Sequence, residues 1–409
     1  MSEQNCRLCA QPLEQTLVDL GETARANSYV DLENSDHADP TYPLHVRVCG
    51  ACFLVQIEDT AAPHEIFSDY AYFSSYSTTW VEHAKIYATQ AQEKLGLNEN
   101  SLVVEVASND GYLLQHFVAD NIPVLGVEPA ANIAIVAEEK GIRTRVEFFG
   151  QTTAQDIVSS IGKADLTAAN NVLAHVPDIN DFMLGFATIL KDEGVSTFEF
   201  PHLLNLMDLT QFDTIYHEHF SYLSLLAVEH CLSRHQMRAF DVEQLSTHGG
   251  SLRVWCCREH GSHQETEALQ RLRQLEWDRG LNQLSAYHGF TAKVETVREN
   301  FLNFLSTAKA EGKSVAAYGA AAKGNTLLNY CGVTAESIDF VADANPHKQN
   351  KLLPGSHIPI YSPDYIKQAK PDYLIILPWN LKDEISTLAA YIREWNGKFV
   401  VAVPEMIIW

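Results

Sequence analysis

Hydrophobic and polar positions follow three different rhythms along this chain. In residues 1 to about 70 the period is two: LHVRVC (44–49) reads as a short strand with one covered face, set off from its neighbours by turn residues. From about 76 to 295, helix and strand alternate. The helical WVEHAKIYATQAQEKLG is followed by the strand SLVVEV, the helix YLLQHFVADN, the strand PVLGVE and the helix ANIAIVAEEKG. Such alternation predicts a parallel sheet covered by helices, a doubly wound α/β domain. A long charged helical stretch, roughly 262 to 311, leads into a third region. There KSVAAYG, IDFVAD, PDYLIILP and KFVVAVP are short apolar strands separated by helical segments, which predicts a second, smaller α/β unit. The expected domains are 1–75, 76–295 and 296–409, and a chain of 409 residues is too long for a single core.

Composition narrows the partners. Hydrophobic content of 46% with 20% charged residues is that of a globular protein. The net charge of -23, with no basic run to offset it, argues against nucleic acid or an anionic membrane surface. An anionic small ligand held by backbone amides and a few lysines stays open. No uncharged apolar run approaches about 18 residues, and MSEQNCRLCA lacks the apolar core of a secretion signal, so a cytoplasmic protein is expected. The eight cysteines are then metal ligands or buried thiols rather than disulfides.

Four of them form two Cys-x-x-Cys knuckles, Cys6 with Cys9 and Cys49 with Cys52. Each knuckle brings two thiolates to one ion, and two knuckles complete a closed, structural zinc site. The competing readings are four unrelated cysteines or a thiol redox pair. Cys231, Cys256, Cys257 and Cys331 lack the spacing and read as core thiols.

VVEVASNDGYLL (103–114) is an apolar strand, a turn of small residues and a helix, a place where backbone approaches a ligand closely. Glu105 ends this strand and Glu128, in VLGVEPA, ends the next; an acid there commonly takes ribose hydroxyls. The turn carries Ala107, Ser108 and Asn109 before Gly111, so the Gly-x-Gly-x-x-Gly fingerprint of dinucleotide binding is absent. A pocket for S-adenosylmethionine (SAM) demands less, having no pyrophosphate to cradle; the bland alternative is an ordinary tight turn. AANNVLAHVPDI (168–179) places Asn170, Asn171 and His175 at the same edge.

TIYHEHFSYLS (214–224) sets Glu218 between His217 and His219 in an apolar, aromatic frame. If extended, the two histidines share a face and could ligate a metal, but no third ligand with matching spacing is near. A satisfied polar patch and a general base with its helper are the other readings.

Taken with the double knuckle, EVASNDG, GVEPA, NNVLAHVPD, FEFPH, YHEHFSYLS, HGGSLRV, AYGAAAKGNTLLNY and NPHKQNK, the chain resembles the SAM-dependent sugar C-methyltransferases. These enzymes build branched deoxysugars from nucleotide-linked keto-sugars, and the resemblance runs over almost the whole chain in the same order. It implies a zinc-binding N-terminal domain, a central SAM methyltransferase domain, and a C-terminal Rossmann-like α/β domain that helps hold a nucleotide-sugar, with dTDP the expected nucleotide. Its Tyr-x-Glu-His pattern implies catalysis by Tyr216, Glu218 and His219, with His175 assisting and Tyr76 closing over the substrate. SAM is then expected against Glu105, Ser108, Asn109, Gly111, Glu128, Pro129, Asn170 and Asn171. Lys323 and Asn325 in YGAAAKGN, Asn345, His347, Trp379 and Asn380 are expected at the strand ends that line the sugar-nucleotide crevice. The remaining readings are an NAD-dependent oxidoreductase and a non-catalytic sugar-nucleotide binding protein. A monomer with no membrane or nucleic-acid partner is expected.

Overall fold

Val103, Val104, Glu105 and Val106 are all buried, as in a strand covered on both faces. This strand lies within a seven-stranded sheet in a computed structural model that describes residues 4–34, 36–59 and 73–409. The strands are β1 (Val103–Val106), β2 (Val124–Val127), β3 (Thr144–Arg145), β4 (Ala164–Asn170), β5 (Leu190–Pro201), β6 (Met237–Leu245) and β7 (Ser251–Arg258). Their order is β6-β7-β5-β4-β1-β2-β3. The first five are parallel, and β7 lies antiparallel between β5 and β6. The chain winds outward from β1 to β3, then returns to the far side of β1 with β4. That reversal opens a crevice at the carboxyl ends of β1 and β4.

The helix Thr78–Leu95 covers one face. Its buried residues Ala84, Tyr87, Ala88 and Ala91 recur at three- and four-residue steps, the stripe of an amphipathic helix. Ser77 caps its start by accepting from the Trp80 N–H, and Gly96, at φ 64°, ends it.

In the N-terminal module, Gln15–Ala24 pairs antiparallel with Thr41–Val48, whose Leu44, Val46 and Val48 are buried on alternate positions. Val55–Gln56 follows, and the fourth strand of that sheet comes from far along the chain: Ser221–Tyr222, inside the TIYHEHFSYLS stretch. The module therefore grips the segment that carries the candidate base.

The long helical stretch at 262–311 is two helices, Glu267–Asp278 and Phe290–Ala310. Between them Gly280 and Gly289 take φ of 76° and 83°, conformations that stop a helix and that glycine adopts without strain. The second helix runs through residue 295 without a break.

The C-terminal sheet has six strands in the order Ile360–Tyr361, Val341–Ala342, Val315–Tyr318, Tyr373–Ile376, Lys398–Val401, Ile407–Ile408. All its pairings are parallel except the last. One apolar cluster joins Leu17, Val46 and Val55 of the first module to Phe301, Leu327 and Ile375 of the last, so these two parts share a core. Cys231, Cys256, Cys257 and Cys331 are buried in core clusters or against them, as their spacing predicts. Among the described residues no helix is long and apolar enough to cross a membrane.

Candidate active site

The four knuckle cysteines converge. Their sulfur atoms lie within 4.8 Å of one another, with Cys6 and Cys52 at 3.5 Å and Cys9 and Cys49 at 3.4 Å. The Gln56 side-chain amide donates to Cys6 Sγ at 3.2 Å and the Ala51 N–H to Cys49 Sγ at 3.4 Å, as donors do to thiolates that bind an ion. Among the described residues this is the one cluster of His, Cys, Asp or Glu with metal-ligand spacing, so His217 and His219 belong to no such group.

The segment between His217 and His219 is a tight turn, not a strand: the His219 N–H donates to the Tyr216 carbonyl at 2.9 Å. The two rings consequently part company. His217, 1% exposed, donates from Nε2 to the Tyr42 carbonyl at 3.1 Å and packs edge-on against the Tyr42 ring. His219 donates from Nδ1 to the Thr214 carbonyl at 3.0 Å. Burial pushes its pKa well below the ordinary value, so the ring is neutral and Nε2 carries a lone pair. That lone pair accepts the Tyr216 hydroxyl at 2.8 Å. His175 stands edge-on to His219 at 4.6 Å and donates from Nδ1 to the Glu218 carbonyl at 2.7 Å; burial lowers its pKa to about 4. Burial raises the Glu218 carboxyl to about 7, and Asn27 of the N-terminal module donates to its Oε2 at 2.7 Å.

At the sheet edge Ala107, Asn109 and Gly111 all take positive φ, which curls the turn after β1. Gly111 takes φ 77° and a Cβ there would meet Ile142 Cδ1 at 2.2 Å, so any larger residue would strain the backbone and displace Ile142. Glu128 accepts from the Asn109 N–H at 3.0 Å and the Ala130 N–H at 2.9 Å, which fixes its carboxylate beside the turn. Asn170 donates to the Tyr112 hydroxyl at 3.3 Å, and the Asn171 N–H donates to the Glu199 carbonyl at 2.7 Å. Ser108 is wholly buried against Gly126, and Pro129 is half-buried after Glu128.

Across the cleft, Lys323 lies 4.6 Å over the Trp379 indole and donates to Asn380 Oδ1 at 2.7 Å. Its charge is near enough to act on His219 and His248. Asn325, Asn345 and His347, also expected with it, make contacts of their own. Asn325, 1% exposed, donates to the Ala26 carbonyl at 2.7 Å and so ties two domains together. Asn345 accepts the His347 N–H at 3.0 Å in a local turn, and the His347 side chain is exposed. Lys348, unexpected from the sequence, donates to the Ala320 carbonyl at 2.8 Å. Tyr76 is 75% exposed and stacks on Phe73.

Family profiles match the chain in three consecutive blocks. They describe a candidate zinc binding domain over residues 6–67, a methyltransferase domain over 81–240 and a C-methyltransferase C-terminal domain over 246–404. The C-methyltransferase NovU of Streptomyces niveus is 34% identical over 400 residues, which span 98% of this chain and 95% of that protein. The chain belongs to the C-methyltransferase family. Solved structures resemble part of the chain at lower similarity. Magnesium protoporphyrin IX methyltransferase of Synechocystis PCC 6803 is 13% identical, over 44% of this chain and 78% of that one, with a TM-score of 0.33. The 1,6-didemethyltoxoflavin-N1-methyltransferase of Burkholderia thailandensis is 16% identical, over 50% and 94%, with a TM-score of 0.35.

For a C-methyltransferase the two cofactors are SAM and zinc, and the residues present fit both. Four soft thiolate donors in a closed, amide-supported cluster suit structural zinc. At the sheet edge Glu105 Oε2, Asn170 Oδ1 and Asn171 Oδ1 are buried oxygens with no hydrogen-bond partner among the described residues. Such acceptors call for a ligand that brings donors, as the ammonium group and ribose hydroxyls of SAM do.

Several residues at this C-methyltransferase site were not singled out from the sequence. Trp80 stacks on His83 at 4.8 Å and on Tyr112 at 6.0 Å, and meets His248 edge-on at 5.4 Å, forming an aromatic wall beside β1. His83 meets Glu199 at 2.9 Å, and Glu199 pairs with the buried Arg253 at 2.6 Å. Asn27 and Lys348 reach the cleft from distant parts of the chain. The double glycine of HGGSLRV was the available signal for His248: Gly249 and Gly250 take φ of 89° and 114°.

Proposed function

We propose that the protein deprotonates the carbon alpha to the ketone of a nucleotide-linked keto-deoxysugar, with dTDP as the nucleotide, and transfers a methyl group to that carbon. The observation that carries this reading is the Tyr216–His219 pair, 2.8 Å apart beside the carboxyl edge of a methyltransferase sheet. Methylating carbon needs a carbanion equivalent, and the proton alpha to a ketone is the accessible source. A neutral imidazole and a phenol are the base and the oxyanion donor that such a step requires.

With substrate present, the Tyr216 hydroxyl would turn from His219 Nε2 to the ketone oxygen. The freed lone pair takes the alpha proton. The electron pair of the broken C–H bond moves onto the ketone oxygen, where the Tyr216 hydrogen bond stabilises the enolate. SAM, when bound, would supply an electrophilic methyl carbon to the enolate carbon, the new C–C bond forming as the methyl–sulfur bond breaks with its electron pair left on sulfur, so that S-adenosylhomocysteine is the leaving product. Burial disfavours the imidazolium, so His219 then returns its proton outward. Glu218, steadied by Asn27, orients the sugar hydroxyls or the imidazole, and His175 is the alternative base.

Glu105, Ser108, Asn109, Gly111, Glu128, Pro129, Asn170 and Asn171 would surround the cofactor, with Glu128 accepting from its ribose hydroxyls. Lys323, Trp379 and Asn380 would hold the diphosphate. In sequence order the zinc-binding, methyltransferase and nucleotide-holding parts would occupy 1–75, 76–295 and 296–409. Incubating dTDP-linked keto-deoxysugars with SAM and the protein, followed by mass spectrometry, tests the reading. A gain of one methyl supports it; turnover with NAD and no methyl gain points to an oxidoreductase, and binding without turnover to a non-catalytic protein.

A further inference from the structure

The loop 211–219, which carries Tyr216 and His219, is held by residues of the C-terminal unit that lie 111 and 166 positions further along the chain. Thr326 Oγ1, on the helix Ala322–Cys331 that begins beside Lys323, donates to the Ile215 carbonyl at 2.8 Å. Asp213, with no exposed surface, accepts from Trp379 Nε1 at 2.7 Å. The Phe212 ring packs edge-on against Tyr330 of the same helix at 5.5 Å. Trp379 is in turn the ring beneath the Lys323 ammonium, at 4.6 Å. It is also wedged against the loop that carries His248, because a Cβ on Gly249 would come within 2.4 Å of the indole. The groups expected to meet the nucleotide and the groups expected to move the proton thus share one small set of buried contacts.

We infer that Asp213 and Thr326 are positioning residues that couple occupation of the Lys323 crevice by a nucleoside diphosphate to the geometry of the Tyr216–His219 pair. The inference rests on the proposed function. A diphosphate that contacts Lys323 and Asn380 favours the arrangement in which Trp379 is seated. A seated Trp379 holds Asp213, and with it the loop, while Thr326 holds the same loop two residues further on. The nucleotide is not the part that reacts, so its binding energy would be applied to orientation at the reacting carbon. A ligand shifts a conformational equilibrium only by its differential affinity for the two states, and on this inference the seating of Trp379 is what the diphosphate would favour.

Hydrogen-exchange mass spectrometry on the full chain, with dTDP as the probe, tests this. In wild type, dTDP slows exchange both in the segment 320–331 and in the segment 209–224. In Asp213→Ala, which removes the acceptor for Trp379 Nε1, and in Thr326→Val the first protection persists while that of 209–224 falls about fivefold or more, the scale of a modest coupling energy. Thr326→Ser, which keeps the hydroxyl, restores it. SAM protection of 103–114, unchanged in all variants, separates loss of coupling from loss of fold. If dTDP protects 320–331 and leaves 209–224 unchanged in wild type, or if both variants keep wild-type protection of 209–224, the inference is overturned and the crevice assignment stands. If dTDP protects neither segment, the nucleotide reading fails and the inference fails with it.

Discussion

His219 cannot be a base and a bystander at once, and its two ring nitrogens decide what it can do. Nδ1 is committed to the Thr214 carbonyl and Nε2 to the Tyr216 hydroxyl, so the ring is held in one tautomer with its lone pair aimed at the tyrosine. Removing it should lower kcat by about 10²- to 10⁴-fold, the usual share of a general base, with both ligands still bound. Glu218 offers a second test at this scale. Its carboxyl holds its proton more tightly when folded, its pKa being raised from 4.5 to about 7, so the fold loses stability as pH rises through that window. Glu218→Gln cannot ionise and should show a smaller drop in melting temperature between pH 5 and pH 8 than wild type; an equal drop would mean that the carboxyl is not buried as described. The Tyr-x-Glu-His pattern was legible in the sequence because its members are neighbours. Asn27 was not, since it reaches Glu218 across 191 positions, and neither was the turn that separates His217 from His219.

Among the elements, the strand ends do the positioning. Glu128 stands at the end of β2 with two backbone amides on its carboxylate. Glu128→Ala should weaken SAM binding by about 1–3 kcal/mol, the value of a hydrogen bond to a charged group, as isothermal titration can measure. Lys323→Ala should raise the KM for the sugar-nucleotide and leave SAM affinity unchanged; a fall in SAM affinity instead would place Lys323 in the wrong crevice. Strands and helices were legible wherever period and length agreed, as in VVEV and WVEHAKIYATQAQEKL. The helical stretch 262–311 misled because charged residues on both sides of Gly280–Gly289 share one pattern, and only the two glycines mark the break. Asn325 lies within the helix Ala322–Cys331 with its side chain turned to the Ala26 carbonyl, a direction set by packing that no local pattern encodes.

At the scale of the molecule, the zinc module is part of the frame of the candidate active site. Its strand Val55–Gln56 pairs with Ser221–Tyr222, directly after the candidate base, and Asn27 holds Glu218. Removing zinc by chelation, or Cys49→Ser, should release the metal and also lower methyl transfer, because a structural site of this kind contributes folding energy outright. Zinc content unchanged in Cys49→Ser would remove that cysteine from the ligand set. Three regions were visible in the sequence, but their interlocking was not, since the strand donated to the N-terminal sheet is too short to carry a pattern of its own. The central claim is that this frame holds a base beside a ketone, and proton exchange isolates it from methyl transfer. In heavy water without SAM, wild type should exchange the alpha proton of a dTDP-linked keto-sugar, and His219→Ala should do so at least a hundredfold more slowly, the lower end of about 10²- to 10⁴-fold. Exchange by His219→Ala at the wild-type rate would contradict the account and move the role of base to His175.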